Sequence, residues 1–298
     1  MTNETAAPWS SDRLLTLDQV AEILREQFPE LADRPLRSLA AGWDSEAFEV
    51  DERWIFRFPK RQNVVEHLET ELSVLPLLAP RLPLPVPSPR FHGEASERFP
   101  YPFMGYAKLP GAPLDEVPAR ALRIDAVLDA LVAFLEVLHA TPLEGAVAQV
   151  RGWPVGEDLE ARILRLGLSE EPLIASALRR LQREISPPPA PRLVHDDLGM
   201  EHVLIDPQRS EVTGIIDWGD MNLGDPAHDF VGLLAWVGDA PLRRALDRST
   251  YPADPALLGR ARHGLIRGHL HGWCDGVEHD AQEMRSGARR ALGELVGP

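Results

Sequence analysis

Two proline-rich stretches separate the parts of this chain that can be helical from the parts that cannot. The first contains five prolines within ten residues, namely Pro80, Pro83, Pro85, Pro87 and Pro89. The second covers residues 186–191, in which four of the six residues are proline. Proline lacks the backbone N–H that a helix interior needs and fixes φ, so both stretches favour an extended path. They therefore end the helices predicted over 67–78 and 159–185.

The residues before the first proline stretch have the pattern of a small antiparallel sheet. Short β-rich runs separated by turn residues fill 36–59, which predicts a meander of strands. A helix precedes the meander, because Thr16 and Gln19 have the spacing of a capping box and apolar residues follow at helical spacing. Strand-like runs continue to a turn at Pro110-Gly111. We predict a β-rich N-terminal nucleotide-binding lobe over 1–108.

The rest of the chain, residues 109–298, is predicted to be mostly helical. Apolar residues recur at helical spacing from Val127 to Leu138 and form a continuous stripe. Two brief β-rich runs, over 202–205 and 212–216, interrupt the helical pattern. The predicted fold class is therefore α+β, with a β-rich N-terminal lobe and a mostly helical C-terminal lobe that carries catalysis and substrate binding.

Composition and charge exclude several classes of protein and of partner. Hydrophobic residues make up 44% and charged residues 26% of the chain, as in ordinary globular proteins, which excludes fibrous and wholly disordered classes. The formal net charge of −15 repels phosphate backbones and anionic lipids. We therefore expect neither nucleic acid nor membrane as a partner, and a cationic small molecule as the favoured ligand.

Cysteine content and hydropathy favour a cytoplasmic protein. The single cysteine, Cys274, has no partner for an intramolecular disulfide, and residues 1–13 lack the apolar core of a secretory signal. The longest apolar runs, such as 230–237, are far shorter than the roughly 20 residues that cross a bilayer.

Side chains that can bind a cation are concentrated between residues 194 and 220. Asp217 follows an apolar strand run, His202 precedes another, and Asp197 lies on the loop before it. In phosphoryl-transfer sites Mg²⁺ is usually held by few protein ligands and otherwise by water and phosphate oxygens. His202 and Asp217 are therefore the candidate metal ligands, beside a second carboxylate on Asp197.

The order of these residues resembles the signature of the aminoglycoside phosphotransferase family, whose members are relatives of protein kinases. The matching positions are His195, Asp197, His202, Asp206 and Asp217, followed by Gly224-Asp225-Pro226 and Asp229. Three weaker matches are the loop 42–45, the strand 54–59 and the helix residue Glu71. The resemblance covers about 36–230 and implies a kinase-like fold with the active site between two lobes.

The resemblance also implies a role for each matching residue. Asp197 would be the catalytic residue that accepts or orients the proton of the substrate hydroxyl. His202 and Asp217 would hold Mg²⁺ against the phosphates of ATP or GTP, and Arg57, oriented by Glu71, would contact those phosphates. The remaining nucleotide-binding candidates are Ser45 in the phosphate-covering loop and Tyr106 and Lys108 in the hinge segment 103–108.

Three residues depart from the family pattern. His202 replaces the usual asparagine, although imidazole is a softer ligand than Mg²⁺ prefers. Arg57 replaces the usual strand lysine, and Lys60 is an alternative phosphate contact because an ammonium is a point charge whereas guanidinium is forked. Asp196 replaces a glycine and adds a carboxylate beside Asp197.

The predicted function is phosphorylation of a hydroxyl on a small-molecule antibiotic, with ATP or GTP as donor. An aminoglycoside is the first candidate, because a chain with a net charge of −15 attracts polycations. The alternatives are a macrolide 2'-phosphotransferase, a kinase for choline, homoserine or a sugar, and a non-catalytic nucleotide-binding module.

Other polar and aromatic residues are expected to have structural roles. Asp225 and Asp229 are predicted to cap or brace the loop after Asp217. His263, His269, His271 and Cys274 match no zinc-site spacing. Trp236 and Trp273 are expected in the core. Four acidic residues are expected to form a solvated helix face unless an amine-rich acceptor binds them: Asp275, Glu278, Asp280 and Glu283.

Overall fold

The computed structural model describes residues 14–39, 42–150, 158–183 and 186–296. Its contacts divide the chain into two units, each built from stretches that are distant in sequence. The first unit comprises residues 1–130, 144–150 and 201–221, and the second comprises 131–143, 151–200 and 222–298. These units follow spatial contacts rather than sequence order, and the division into lobes 1–108 and 109–298 stays a prediction.

The described residues form ten strands and nine α-helices. In chain order the strands are β1 (Leu36–Ser38), β2 (Ser45–Val50), β3 (Trp54–Pro59), β4 (Pro89–Gly93), β5 (Phe103–Ala107), β6 (Ala112–Pro113), β7 (Arg192–Val194), β8 (Val203–Asp206), β9 (Glu211–Ile215) and β10 (Asn222–Gly224). The helices are α1 (Leu17–Gln27), α2 (Val65–Leu78), α3 (Ile124–His139), α4 (Leu159–Arg165), α5 (Pro172–Leu181), α6 (Val231–Val237), α7 (Asp239–Arg248), α8 (Leu257–Glu278) and α9 (Gln282–Val296).

The first unit is built on an antiparallel sheet with the strand order β1-β2-β3-β5-β4. Side chains alternate between its two faces, as the pleat requires. One face carries Phe48, Phe56 and Phe58 and packs with the apolar side of α1. The opposite face carries Ile55 and Tyr106 in a second cluster with residues of α2. The sheet therefore lies between two helices, and Arg57 shares the α2 face because it alternates with Phe56 and Phe58.

A smaller sheet completes the first unit. It has the order β6-β8-β9, and β8 pairs with β9 in an antiparallel register that places Val203 opposite Ile215. A 3₁₀ turn, Met200–His202, leads directly into β8. The start of β8 and the end of β9 are therefore neighbours, which brings His202 close to the residues that follow Ile215.

The second unit is mostly helical, with one short pair of strands. β7 and β10 pair antiparallel with Val194 opposite Asn222. A core of buried side chains joins α4, α5, α8 and α9, and Trp273 lies within it at 0% exposure. Trp236 on α6 is only half-buried. The expectation that both tryptophans lie in the core is therefore confirmed for Trp273 and wrong for Trp236.

Most of the predicted elements are confirmed, and one is corrected. The capping box of Thr16 and Gln19 begins α1, and the meander over 36–59 forms β1 to β3. The single helix predicted over 159–185 is wrong. Gly167 adopts φ 69°, a left-handed conformation that ends a helix, and Pro172 begins the next one, where its missing N–H costs nothing.

The α+β prediction is confirmed, with an antiparallel sheet in the N-terminal region and helices in the C-terminal region. Residues 1–13, on which the expectation about a secretory signal rests, lie outside the described residues. Across the part of the chain that the structure describes, no helix is both long and apolar enough to cross a bilayer.

Candidate active site

Arg57 lies near the centre of β3 and joins two carboxylates from different parts of the first unit. Its Nη1 donates to Oε2 of Glu71 at 2.7 Å, and its Nη2 donates to Oδ1 of Asp217 at 2.9 Å. Glu71 reaches Arg57 because α2 packs on this face of the sheet. Asp217 reaches it from the loop after β9. The structure thus brings together three predicted site residues that are up to 160 positions apart.

Burial sets the electrostatics of this cluster. Arg57 is 8% exposed and Glu71 is 1% exposed. Burial lowers the pKa of Arg57, but the attraction of Glu71 and Asp217 outweighs it and the net shift is upward. Burial raises the pKa of Glu71 to about 7 against the opposing effect of Arg57, and the negative charge of Asp217 adds a smaller upward contribution. Arg57 therefore carries its charge at any physiological pH.

We expect Arg57→Met to lower the free energy of unfolding by about 3–5 kcal/mol, because it leaves the buried Glu71 without its cation. Urea titration of the full chain measures this loss. The double variant Arg57→Met/Glu71→Leu removes both charges and is expected to recover most of the lost stability. A double variant as unstable as the single one would contradict this account.

His202 and Asp217 are adjacent, as the predicted metal ligands should be. His202 Nε2 lies 3.5 Å from Asp217 Oδ2, and the other oxygen, Oδ1, accepts from Arg57. The sheet enforces this proximity, since the N–H of Ile216 donates to the carbonyl oxygen of His202 at 2.9 Å. Asp217 adopts φ 61°, a left-handed conformation uncommon outside glycine, which sets the direction of its carboxylate.

The donor set of these two residues fits a small divalent cation. Neighbouring ligands of an octahedral Mg²⁺ with bonds of about 2.1 Å lie about 3 Å apart, close to the separation of Nε2 and Oδ2. One imidazole nitrogen and one carboxylate oxygen leave most positions for water and phosphate oxygens. Both side chains are accessible, with 16% of His202 and 43% of Asp217 exposed.

The other nucleotide-binding candidates lie on β2 and β5 or at their ends. Ser45 begins β2 and is buried, and Tyr106 is buried in β5 opposite Ile55. Burial raises the pKa of Tyr106. Lys108 follows β5, and its Nζ lies 2.5 Å from Oε2 of the buried Glu49. The Lys108 side chain is therefore engaged with β2, its backbone N–H donates to the carbonyl oxygen of Arg53 at 2.8 Å, and its hinge role stays a prediction.

The loop 42–45 is attached to the end of β3 by a residue that the sequence did not single out. Arg61 Nη2 lies 2.5 Å from Asp44 Oδ1, and its Nη1 donates to the carbonyl oxygen of Trp43 at 3.1 Å. The N–H of Lys60 donates to the Asp44 carbonyl oxygen at 2.8 Å. Lys60 is buried at 8% exposure, and its part in phosphate binding stays a prediction.

Asp197 lies in the second unit, on the loop that leaves β7. The backbone N–H groups of His195 and Asp196 donate to the two carboxylate oxygens of Asp229 at 3.0 Å and 2.7 Å. Asp229 is fully buried. The loop before Asp197 is therefore fixed to a buried anion. That Asp197 meets His202 and Asp217 around one cation stays a prediction.

The structure corrects the expected role of Asp229. The sequence predicts that Asp229 braces the loop after Asp217, but in the structure Asp229 holds the loop that carries Asp197. Asp229 Oδ2 also lies 2.8 Å from His139 Nε2, and His139 Nδ1 lies 2.7 Å from the Tyr251 hydroxyl. Burial alone would raise the pKa of Asp229, but the His139 and backbone hydrogen bonds lower it below its usual range. The anchor is therefore an anion across the physiological range.

Helix α6 approaches the Asp197 loop closely at a glycine. A Cβ atom at Gly232 would lie 2.1 Å from the carbonyl oxygen of Leu198, which no real contact allows. We expect Gly232→Ala to displace the loop and to lower kcat by about 10-fold or more, since a shift of about 1 Å can cost about 10²-fold. Steady-state kinetics measure this effect.

Gly268→Ala on α8 is the matched control for Gly232→Ala. A Cβ atom at Gly268 has nothing within 4 Å, so the helix accepts alanine there without a clash. We expect this variant to keep the wild-type kcat. Equal kcat values for the two variants would show that the close approach at Gly232 does not position the loop.

The remaining groups outside this region have structural partners. Among the described residues, His263, His269, His271 and Cys274 do not come together as a metal site. The expectation of a solvated acidic face is wrong for Asp275 and Glu278 at the end of α8, whereas Asp280 and Glu283 are exposed. Arg162 contacts both Asp275 and Glu278, and Arg165 Nη2 lies 2.7 Å from Glu278 Oε1. Cations of the chain itself therefore neutralise these carboxylates, and an amine-bearing acceptor would have to displace them.

Comparisons with known proteins identify the family of this chain. A model of the phosphotransferase enzyme family matches residues 35–262. Viomycin phosphotransferase of Streptomyces vinaceus is 28% identical over 251 residues, which cover 78% of this chain and 85% of that protein. The uncharacterized protein YcbJ of Bacillus subtilis is 26% identical over 211 residues, which cover 65% of this chain and 66% of that protein.

Solved structures show the same fold. The GDP and kanamycin complex of APH(2″)-IIia matches with a TM-score of 0.75 and 27% identity, over 93% of this chain and 97% of that one. The GDP complex of aminoglycoside 2'-phosphotransferase-IIIa matches with a TM-score of 0.77 and 26% identity, over 94% and 98% of the two chains. The resemblance found in the sequence is thus confirmed, and the chain belongs to the phosphotransferase enzyme family.

Proposed function

We propose that this chain transfers the γ-phosphoryl group of ATP or GTP to a hydroxyl of a small-molecule antibiotic. The observation that carries the proposal is the cluster in which Arg57 joins Glu71 and Asp217, with His202 on the other oxygen of Asp217. Phosphoryl transfer needs cations at the phosphates more than covalent chemistry. The GDP in solved structures of relatives supports a nucleotide as donor.

In this proposal His202 and Asp217 hold Mg²⁺. The bound cation would neutralise negative charge on the phosphates. Arg57 supplies a second positive charge from the sheet, and Glu71 keeps its guanidinium oriented at 2.7 Å. If Asp217 turns to the cation, the Nη2 of Arg57 is released for a phosphate oxygen. Lys60 remains the alternative phosphate contact.

Asp197 accepts or orients the proton of the attacking hydroxyl. Its loop is fixed through the backbone of His195 and Asp196 on Asp229, so the carboxylate needs little reorganisation. Such positioning supports an in-line attack on the γ-phosphorus. The need for ATP or GTP also favours a cytoplasmic location for the reaction.

An aminoglycoside is the first acceptor that we propose. The net charge of −15 favours a polycation, and one relative was solved with kanamycin. The similarity to viomycin phosphotransferase makes viomycin the second acceptor. The solved macrolide 2'-phosphotransferase is 23% identical, and its likeness supports the fold alone.

The test is a transfer assay with the purified full chain, Mg²⁺ and either ATP or GTP. Kanamycin, viomycin and a macrolide are offered separately, and mass spectrometry follows the addition of one phosphoryl group. We expect transfer to kanamycin or viomycin and none when the metal is chelated. Nucleotide binding without transfer to any of the three acceptors would refute the antibiotic assignment and favour a metabolite kinase or a non-catalytic module.

A further inference from the structure

Asp196 has a backbone conformation that glycine adopts far more easily. Its φ is 66°, in the left-handed region. Both oxygens of its carboxylate are engaged. Oδ1 lies 2.6 Å from His228 Nδ1, and Oδ2 accepts from Asn222 Nδ2 at 2.6 Å. The side chain therefore holds in place a conformation that the backbone alone disfavours.

The two partners of Asp196 lie on elements with fixed positions. Asn222 is 5% exposed and begins β10, opposite Val194 at the end of β7. His228 lies in the 3₁₀ turn Pro226–Phe230, and 48% of its side chain is exposed. The turn is N-capped by Asp225, whose carboxylate binds Arg260 of α8 at 2.7 Å and 3.2 Å. The turn is thereby tied to the longest helix of the second unit.

The charges around His228 favour its protonated form. Asp196, Asp225 and Asp229 all act on it, and Asp225 is paired with Arg260, which Asp254 also contacts. The hydrogen bond to Asp196 raises the pKa of His228, and burial opposes this less strongly. A raised pKa means that the ion pair is complete at low pH and is lost as pH rises through that value.

We propose that Asp196 and His228 are positioning residues whose ion pair clamps the loop that carries Asp197. Asp229 holds the backbone of residue 196 from one side, and His228 and Asn222 hold its side chain from the other. Asp197 follows directly, so the direction of its carboxylate depends on residue 196 staying fixed. The effect on turnover rests on the proposed function, in which Asp197 is the base.

Substitutions at residues 196 and 228 distinguish the effect of losing the ion pair from the effect of straining the backbone at residue 196. Asp196→Gly accepts a positive φ and removes only the carboxylate, whereas Asp196→Ala also strains the backbone. His228→Gln removes the charge at a half-exposed site, and His228→Arg keeps a cation at every pH. Because the residues act as one pair, the double variant Asp196→Gly/His228→Gln should be no slower than the slower single variant.

The kinetic arm measures kcat and nucleotide KM against pH. We expect about 10-fold lower kcat in Asp196→Gly and His228→Gln, with little change in nucleotide KM. The wild type should lose activity on the alkaline side, whereas His228→Gln stays low and His228→Arg stays high there. Wild-type kcat and pH profile in both Asp196→Gly and His228→Gln would overturn the proposal, and so would strictly additive losses in the double variant.

The second arm needs no turnover. NMR follows the His228 ring proton during a pH titration of the full chain, and hydrogen exchange follows the amide of residue 196. We expect Asp196→Asn to lower the pKa of His228, and Asp196→Gly to make amide 196 exchange about 10-fold faster. An unchanged His228 titration and unchanged exchange would overturn the clamp. If the wild type transfers no phosphoryl group, the proposed function fails, and this arm still decides the clamp.

Discussion

Replacing Asp197 by alanine is expected to lower kcat for phosphoryl transfer by about 10²–10⁴-fold, the usual contribution of a positioned general base. The carboxylate would no longer accept or orient the proton of the attacking hydroxyl. The backbone bonds from residues 195 and 196 to Asp229 do not involve the Asp197 side chain, so the loop should keep its path. Nucleotide affinity should therefore change little. Single-turnover rates and calorimetric nucleotide binding measure the two quantities separately.

Glu201→Ala is the matched control for Asp197→Ala. It removes an exposed carboxylate four positions further along the same segment and is expected to keep the wild-type rate. Wild-type turnover in Asp197→Ala would show that another group is the base. Equal losses in both variants would show that the general negative charge of this segment matters, rather than one placed carboxylate.

Replacing Asp217 by asparagine is expected to have the second-largest effect. The change keeps the size of the side chain but removes the negative charge that faces Arg57 at 2.9 Å and that would bind the cation in the proposed function. We expect kcat to fall by about 10²–10³-fold, a loss typical of removing one electrostatic contact to the transition state. The Mg²⁺ concentration at half-maximal activity should rise. Initial rates across a magnesium titration measure both changes.

His202→Asn replaces one ligand atom by another without changing a carboxylate, whereas Asp217→Asn removes a negative charge. Asparagine offers an oxygen, which Mg²⁺ prefers to imidazole nitrogen, so this variant should remain active in Mg²⁺. Asp217→Asn with an unchanged magnesium dependence would remove Asp217 from the metal site. A His202→Asn variant as inactive as Asp217→Asn would show that the imidazole has a role beyond holding the cation.

Local patterns predicted the elements of the first unit well. Short β-rich runs separated by turn residues predicted the strands over 36–59, because β-branched and aromatic residues favour strands and turn residues end them. The adjacency of Arg57, Glu71 and Asp217 needed the family resemblance. Glu71 lies 14 residues and Asp217 lies 160 residues from Arg57, and no local pattern reports contacts at that range.

The sequence does not predict the contacts that hold the Asp197 loop in place. His139 contacts Asp229 across 90 residues and Tyr251 across 112 residues, and both look like ordinary helix-end or loop residues. In the sequence, Asp196 is distinguished only by its departure from the glycine of the family pattern. The positive φ of Asp196 explains why glycine suits this position and why the aspartate needs Asn222 and His228 as partners. Gly167 is a residue that could have predicted the break between α4 and α5. The apolar residues on both sides of it have helical spacing, and this pattern predicted one continuous helix instead.

The division of the chain into units constrains how the protein can be made. Residues 201–221 belong to the first unit, although 131–143 and 151–200 of the second are synthesised before them. A nascent chain that has just left the ribosome with its five-stranded sheet still lacks β8, β9 and Asp217. Of the two carboxylates that Arg57 contacts among the described residues, Glu71 alone has then been synthesised. The pairing of Arg57 with Asp217 therefore forms only after 131–143 and 151–200 have been synthesised, and one proteolytic cut could not release either unit intact.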